Sequence, residues 1–206
     1  MTHRILVWDT PTRVFHWLQV LAFGVAYLTA FSERLRNYHV ALGYILLGLL
    51  VFRLLWGFVG TRYARFSSFL FNPKQIVVYL LALSKGKPAH YLGHNPAGSV
   101  SVWLLLALGL FICVTGVLAL QDDASDVVVD LHGVATNVML GVIMLHLIGV
   151  LISSILHREN LLGSMFTGYK STESEAGIPR AYNWLGVLMV IAVVVFWFAY
   201  VRKPLG

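Results

Sequence analysis

Long, nearly continuous apolar runs dominate this sequence, and shorter polar connections separate them. A helix that crosses about 30 Å of hydrocarbon needs roughly 20 predominantly apolar residues. Four runs come close to or exceed this length, at residues 14–31, 39–59, 99–120 and 131–156, and a fifth lies at residues 183–201. The runs are continuous rather than alternating, which favours helices over a β-barrel. The pattern predicts an all-α integral membrane protein, a four-helix transmembrane bundle with an additional C-terminal transmembrane helix.

The composition excludes an ordinary soluble domain. Hydrophobic residues make up 58% of the chain and charged residues 12%, with a mean hydropathy of +0.77, whereas soluble domains carry about 25% charged residues. We divide the chain into a transmembrane domain at residues 1–168 and a linker with the additional helix at residues 169–206. The one cysteine, Cys113, lies inside an apolar run and is expected to pack there. A single cysteine excludes an intrachain disulfide and a thiolate cluster that could bind an iron–sulfur centre, and the sequence has no CxxCH motif for haem attachment.

The distribution of charge predicts an orientation. If the runs alternate in direction, most Lys and Arg residues fall on the side of the N-terminus, and the positive-inside rule then places that side in the cytoplasm. The first run is of full length, so we expect the N-terminus to be retained rather than cleaved as a signal peptide. The net charge of +6 follows from this topology and needs no nucleic acid to explain it.

Two connections carry further information. The basic connection at residues 60–98 contains a short apolar stretch at residues 75–84, which predicts a helix along the membrane interface. The outer connection at residues 121–130 carries four aspartates, Asp122, Asp123, Asp126 and Asp130. This connection is either a solvated acidic loop or a docking patch for a cationic partner on the outer face.

Four histidines define the candidate chemistry. His132 and His146 lie fourteen positions apart in the fourth run, which places them within about 40° of one helix face and about 21 Å apart along the axis. With alternating runs, His16 at the start of the first run approaches the same side of the membrane as His146. His39 at the start of the second run approaches the same side as His132. A buried imidazole needs a partner, which is either a hydrogen-bonding group or a metal.

Two imidazoles from facing helices can hold a non-covalent haem with both axial positions filled. Filled axial positions favour electron transfer over oxygen binding, and irons about 20 Å apart could pass electrons across the membrane. Arg13 and Arg53 are candidates for contacts to the haem propionates on the inner side, although snorkelling to the interface is the alternative for Arg53. His90 and His94 are spaced like neighbours on a helix, but Gly93 and the flanking prolines argue against a continuous helix. This favours loop residues, or residues that support a site from outside, over metal ligands.

Several motifs together resemble the prokaryotic di-haem cytochrome b561 family, including its hydrogenase-type cytochrome b subunits, over residues 7–168. They are the Arg-x-x-His-Trp opening at Arg13, His39 at the head of the second run, the His132-x13-His146 pair, His94-Asn95-Pro96, and the closing His157-Arg158-Glu159-Asn160-Leu161. The resemblance implies four core helices, two b haems, and axial ligand roles for His16, His39, His132 and His146. It also implies electron exchange with membrane quinone. The helix at residues 183–201 departs from the basic form of the family.

The sequence therefore predicts a transmembrane electron carrier of the bacterial inner membrane. It would relay electrons between ubiquinone or menaquinone and a periplasmic partner, such as a c-type cytochrome or an oxidoreductase subunit. We identify no catalytic residue, and quinone oxidoreductase activity stays open. Possible walls of a quinone site are Trp17, Tyr44 and Trp56, which are equally suited to the membrane interface.

Three alternatives have different partners. A superoxide:quinone oxidoreductase would attract an anion to the outer face, which the acidic connection disfavours. A membrane anchor subunit of a hydrogenase or dehydrogenase would hold its partner stably. A haem-free transporter relaying protons is disfavoured because the four core runs contain no Asp or Glu.

Overall fold

The computed structural model describes residues 3–173 and 176–202, so part of the predicted linker and the last four residues lie outside it. The described residues form a helical bundle with one short β-ribbon. Its helices are α1 Thr10–Thr29, α2 Arg36–Val59, α3 Pro73–Ser84, α4 Pro96–Leu118, α5 Asp126–His157, α6 Leu161–Thr167 and α7 Asn183–Val201. The strands are β1 His3–Leu6 and β2 Tyr169–Thr172. We call the end at which α1 begins the near end and the opposite end the far end.

Within the described part of the chain, four helices are long and apolar enough to cross a membrane, namely α2, α4, α5 and α7. They correspond to the second, third, fourth and fifth predicted runs, and α7 has the predicted bounds. Helix α5 is longer than its apolar run at both ends, because Ser125 and Asp126 begin it and the chain leaves the helix only at Arg158. Helix α3 has the predicted position, with Asn72 and Gln75 forming a capping box at its start.

Helix α1 differs from the other long helices. It has 20 residues but is not among the four that satisfy both length and hydropathy, since Arg13, His16 and Gln19 make it more polar. It packs against α2 and α7, and Phe15 and Phe23 contribute to the main hydrophobic core. The first predicted span is therefore a bundle helix whose own composition is the least apolar of the long helices.

The fifth long helix packs directly on this bundle. Gly186 of α7 lies so close to α1 that an added Cβ would come within 2.6 Å of Thr10 Cγ2. The Thr10 hydroxyl also donates a hydrogen bond to Asn183 Oδ1, 2.6 Å away. Helix α7 contacts α2 as well, so the additional helix belongs to the same packed bundle.

Asp9 determines where α1 begins and how it meets α2. It caps the helix, accepting from the Thr12 backbone N–H at 2.7 Å, and Pro11 lies in the first turn. Its other carboxylate oxygen accepts from Trp56 Nε1 at 3.0 Å and from the Thr61 hydroxyl at 2.5 Å. With these three partners the carboxylate is only 1% exposed.

The β-ribbon, which the hydrophobic pattern does not predict, covers the near end. Strands β1 and β2 pair antiparallel in the register His3↔Thr172 to Leu6↔Tyr169. Gly168 precedes β2 with a φ of +87°, where an added Cβ would come within 2.7 Å of the Trp8 carbonyl oxygen. Its own carbonyl accepts from the backbone N–H groups of Val7 and Trp8. Glycine at this position therefore permits both the turn and the close contact.

Candidate functional site

At the far end, His39 of α2 faces His132 of α5. Their ring centroids are 6.1 Å apart and the ring planes are inclined by 78°. Bonds between a metal and an imidazole nitrogen are about 2 Å long, so this separation leaves room for one metal ion between the rings. Among the described residues, no group of three or more His, Cys, Asp or Glu side chains could hold a metal ion. Two opposed imidazoles suit haem iron, because the porphyrin supplies the other four ligands.

Backbone carbonyls orient both far-end rings. His39 Nδ1 donates to the Ala26 carbonyl of α1 at 2.8 Å, and His132 Nδ1 donates to the Ile112 carbonyl of α4 at 3.0 Å. A carbonyl oxygen only accepts, so the ring proton lies on Nδ1 and Nε2 is left with its lone pair. This is the usual arrangement behind a metal-bound histidine, in which an outer partner fixes the tautomer and the ring plane. Thus α1 and α4, which supply neither far-end histidine, set the orientation of both.

A largely apolar cavity of about 310 Å³ lies around this pair, between α1, α2, α4 and α5. Gly43 and Gly133 line it, and no atom comes within 4 Å of a Cβ added at either position. Gly116 lets His132 approach α4, since an added Cβ would lie 3.0 Å from His132 Cε1. Arg36, which the sequence analysis did not single out, also lines the cavity. The far site therefore combines two oriented imidazoles, space for a flat apolar group and one cationic side chain.

At the near end, His16 of α1 and His146 of α5 are close enough to interact electrostatically. The His16 ring lies edge-on to Trp17, with the centroids 4.9 Å apart. Its Nδ1 is buried and has no hydrogen-bond partner among the described residues. His146 is partly buried. The structure therefore places both predicted near-end histidines on the same side of the bundle, although it shows no direct ring contact between them.

Arg53 is buried at the near end, so the snorkelling interpretation is wrong. The residue is 3% exposed, and its guanidinium carbon lies 5.0 Å from the Phe66 ring centroid and 5.9 Å from that of Phe69. One guanidinium nitrogen, Nη1, is buried without a hydrogen-bond partner in the described part of the chain. A buried guanidinium with a free donor is stabilised by an anion. A haem propionate supplies such an anion.

His94 lies in a non-helical connection, as predicted, but it is packed against aromatic rings. Its ring centroid is 4.5 Å from that of Phe69 and 4.9 Å from that of Trp8. Burial, together with the positive charge of Arg53, lowers the pKa of His94 to about 3, so the ring is neutral near pH 7. Its Nδ1 is also buried and unpartnered among the described residues. The near end thus gathers buried polar atoms that fit a bound group carrying carboxylates.

Arg13 has other partners at the near end. Its Nη1 donates to the Phe166 carbonyl and its Nη2 donates to the Thr10 hydroxyl at 2.8 Å. Its Nε is buried with no partner among the residues described. Arg13 therefore ties α1 to α6 and keeps one donor for another group.

The three aromatic residues considered for a quinone site lie in different surroundings. Tyr44 lines the far cavity, with its ring 5.8 Å from that of Tyr200 in α7. Trp17 stacks on Phe166 at 4.2 Å and donates to the Met165 carbonyl. Trp56 donates to Asp9, as described above. The structure does not bring them together into one pocket.

The other residues named in the sequence analysis are not part of either histidine pair. His90 is exposed, with its Nε2 3.2 Å from Glu159 Oε2. Cys113 is buried and lines the far cavity. The four aspartates of residues 121–130 are all exposed at the far end, with Asp122 and Asp123 before α5 and Asp126 and Asp130 in its first turns.

A bundle of apolar helices that presents imidazoles from facing helices has the architecture of a membrane-bound b-type cytochrome. Comparison with known families agrees with this class. Residues 7–168 match the family model of the prokaryotic cytochrome b561, and the chain belongs to that family. It is therefore a multi-pass membrane protein of an electron-transport family, and haem b is the cofactor that this membership implies.

Curated relatives of the chain carry the name probable Ni/Fe-hydrogenase B-type cytochrome subunit. The protein from Azotobacter vinelandii is 30% identical, with 54% of this chain and 58% of that protein covered. The protein from Escherichia coli K12 is 25% identical, with 53% of this chain and 57% of that protein covered. The protein from Rhizobium leguminosarum is 22% identical, with coverages of 80% and 87%. The chain thus spans little more than half the length of the first two relatives. No solved structure matches the chain significantly.

Proposed function

We propose that this protein is a transmembrane di-haem electron carrier, with His16 and His146 as ligands of a near haem and His39 and His132 as ligands of a far haem. The observation that carries the proposal is the far pair, in which two carbonyl-oriented imidazoles face each other across an apolar cavity. Haem b supplies one-electron chemistry at iron when it is bound. The spacing of His132 and His146 along α5 would hold two haems at opposite ends of one helix.

The protein's own groups have separable roles in this scheme. The Ala26 and Ile112 carbonyls retain the ring protons of the far pair on Nδ1, so both Nε2 atoms would be available to hold haem iron. Gly43 and Gly133 leave space for the porphyrin. Arg53 offers a buried positive charge to the near propionates, with Arg13 Nε as a second donor. Because two histidines would hold each haem, no coordination site on the iron would be open to oxygen.

Electrons would pass between a membrane quinone and a redox partner at the far end. The quinone would be either ubiquinone or menaquinone. We place the N-terminus in the cytoplasm of a bacterial inner membrane, which makes the far end periplasmic. The exposed aspartates of the outer connection would then face a cationic periplasmic partner, such as a c-type cytochrome or an oxidoreductase subunit. The same charge disfavours superoxide as a substrate, since an acidic surface repels an anion.

A second candidate function is that of a membrane anchor subunit of a hydrogenase. The names of the relatives favour it, and the two functions share the same haem sites. Purification in mild detergent separates them. A stable large partner that co-elutes in fixed ratio supports the anchor, whereas a protein that elutes alone and is reduced by quinol supports a mobile relay.

The decisive experiment on the haem sites is a dithionite-reduced minus oxidised absorption spectrum, with haem quantified per polypeptide. We expect low-spin b-type bands in both oxidation states and two haems per chain. One haem per chain would refute the second site. If the protein binds no haem even when haem is supplied in excess, the proposal is refuted and the transporter alternative is reopened.

A further inference from the structure

A second cleft, distinct from the histidine pairs, lies at the near end. It has a volume of about 350 Å³ and is formed by the end of α5, by α6, by the β-ribbon and by the connection between α3 and α4. Five of its lining side chains are basic and one is a carboxylate. They are Arg4, His90, His157, Arg158, Lys170 and Glu159. Neither the haem sites nor the quinone proposal uses this cleft.

Glu159 is only partly neutralised within the cleft. Its Oε2 lies 3.3 Å from Lys170 Nζ and 3.2 Å from His90 Nε2. Its Oε1 is buried and has no hydrogen-bond partner among the described residues. Burial lowers the pKa of Lys170, which is 4% exposed, and Glu159 opposes this shift. The buried pair therefore leaves one carboxylate oxygen to accept from a bound donor.

Two guanidinium groups add positive charge that no ion pair among the described residues compensates. Arg4 projects from β1, with its guanidinium carbon 5.2 Å from the Tyr169 ring centroid. Arg158 follows α5 with φ 51° and ψ 38°, a left-handed conformation in which glycine is the usual residue. An L residue is strained in this conformation, because its Cβ lies too close to the following carbonyl oxygen. Guanidinium groups bind phosphate oxygens through paired N–H donors.

The surface beside the cleft is apolar. Helix α6 lines the cleft with Gly163 and Ser164, yet Leu162 and Phe166 on the same helix are 53% and 58% exposed. Ile155, near the end of α5, is 75% exposed. A free phosphate ion would use only the polar part of this surface. A phospholipid would use both, with its acyl chains lying over the exposed apolar side chains.

We propose that this cleft binds the headgroup of a membrane glycerophospholipid that carries an O–H or N–H donor beside its phosphate. The phosphate would lie against Arg4 and Arg158, and the headgroup donor would reach Glu159 Oε1. Phosphatidylglycerol and phosphatidylethanolamine satisfy both conditions. Phosphatidylcholine has the phosphate but no donor, and inorganic phosphate has no acyl chains.

The test is native mass spectrometry of the delipidated holoprotein in detergent, with the three phospholipids at matched acyl chains and with inorganic phosphate. We expect phosphatidylglycerol or phosphatidylethanolamine to be retained several-fold better than phosphatidylcholine, and millimolar phosphate not to displace it. Equal retention of all three lipids would overturn the proposal. If inorganic phosphate binds and displaces the lipids, the cleft is a site for a free anion, and the proposal of a phospholipid ligand is overturned.

Two variants distinguish a loss of lipid binding from a loss of folded protein. Arg158→Gly removes the guanidinium but relieves the left-handed backbone, so we expect about tenfold weaker lipid retention without loss of haem or thermal stability. Arg62→Ala removes an exposed near-end arginine that does not line the cleft and should leave retention unchanged. Unaltered retention in Arg158→Gly, or an equal loss in Arg62→Ala, would refute the assignment.

Discussion

The Nδ1 atom of His132 donates a hydrogen bond to the Ile112 carbonyl oxygen, 3.0 Å away across the contact between α4 and α5. Thr115 Oγ1 lies 3.3 Å from the same ring nitrogen. Helix α4, the third predicted span, thus fixes the orientation of a histidine on the next helix. The proposed far site therefore depends on a helix that contains no histidine.

Replacing His132 with leucine should remove one haem and leave the other. Leucine retains the packing volume in part but provides no ligand for iron, whereas His16 and His146 lie at the other end of the bundle. The measurement is haem per polypeptide together with the reduced-minus-oxidised spectrum. His90→Leu is the matched control, because His90 is exposed and outside both pairs. Retention of two haems by His132→Leu would show that the far pair is misassigned.

Filling the far cavity should have a similar effect without removing a ligand. Gly43→Leu projects a side chain into space where no protein atom lies within 4 Å of the added Cβ. We expect the far haem to be lost or its spectrum to be altered, while the helical circular dichroism is preserved. Gly141→Leu is the control, since that position is equally open but does not line the cavity. A normal far-haem spectrum in Gly43→Leu would mean that the porphyrin does not occupy this slot.

Replacing Arg53 with methionine should lower the midpoint potential of the near haem. The positive charge of Arg53 favours the reduced iron, and its loss in a low-dielectric site corresponds to a shift on the order of 60 mV, or 1.4 kcal/mol for one electron. Potentiometric titration of the two haems measures the shift. Arg53→Lys should lower the near-haem potential less than Arg53→Met does, because lysine keeps a positive charge. Arg65→Met, at an exposed position, should change the midpoint potential of neither haem. A shift confined to the far haem would contradict the near-end assignment.

Replacing Asp9 with alanine should destabilise the protein by about 2–4 kcal/mol. The change removes the cap of α1 and leaves the donors of Trp56 and Thr61 without their acceptor. Asp9→Asn should cost less, because asparagine caps helices well and keeps one acceptor. Thermal unfolding of the detergent-solubilised holoprotein measures both. Equal midpoints for the wild type and Asp9→Ala would show that this buried carboxylate is not a structural anchor.

The sequence by itself determined the long helices, because an apolar run of sufficient length has only one way to satisfy its backbone groups in lipid. It also predicted the family, through motifs such as the His132-x13-His146 pair, and the family match over residues 7–168 confirms that prediction. Only the tertiary structure decided that Arg53 is buried rather than snorkelling, that His94 packs between aromatic rings, and that β1 pairs with β2. These features arise from contacts between segments far apart in the chain, and neither hydrophobic periodicity nor residue spacing encodes which surfaces meet.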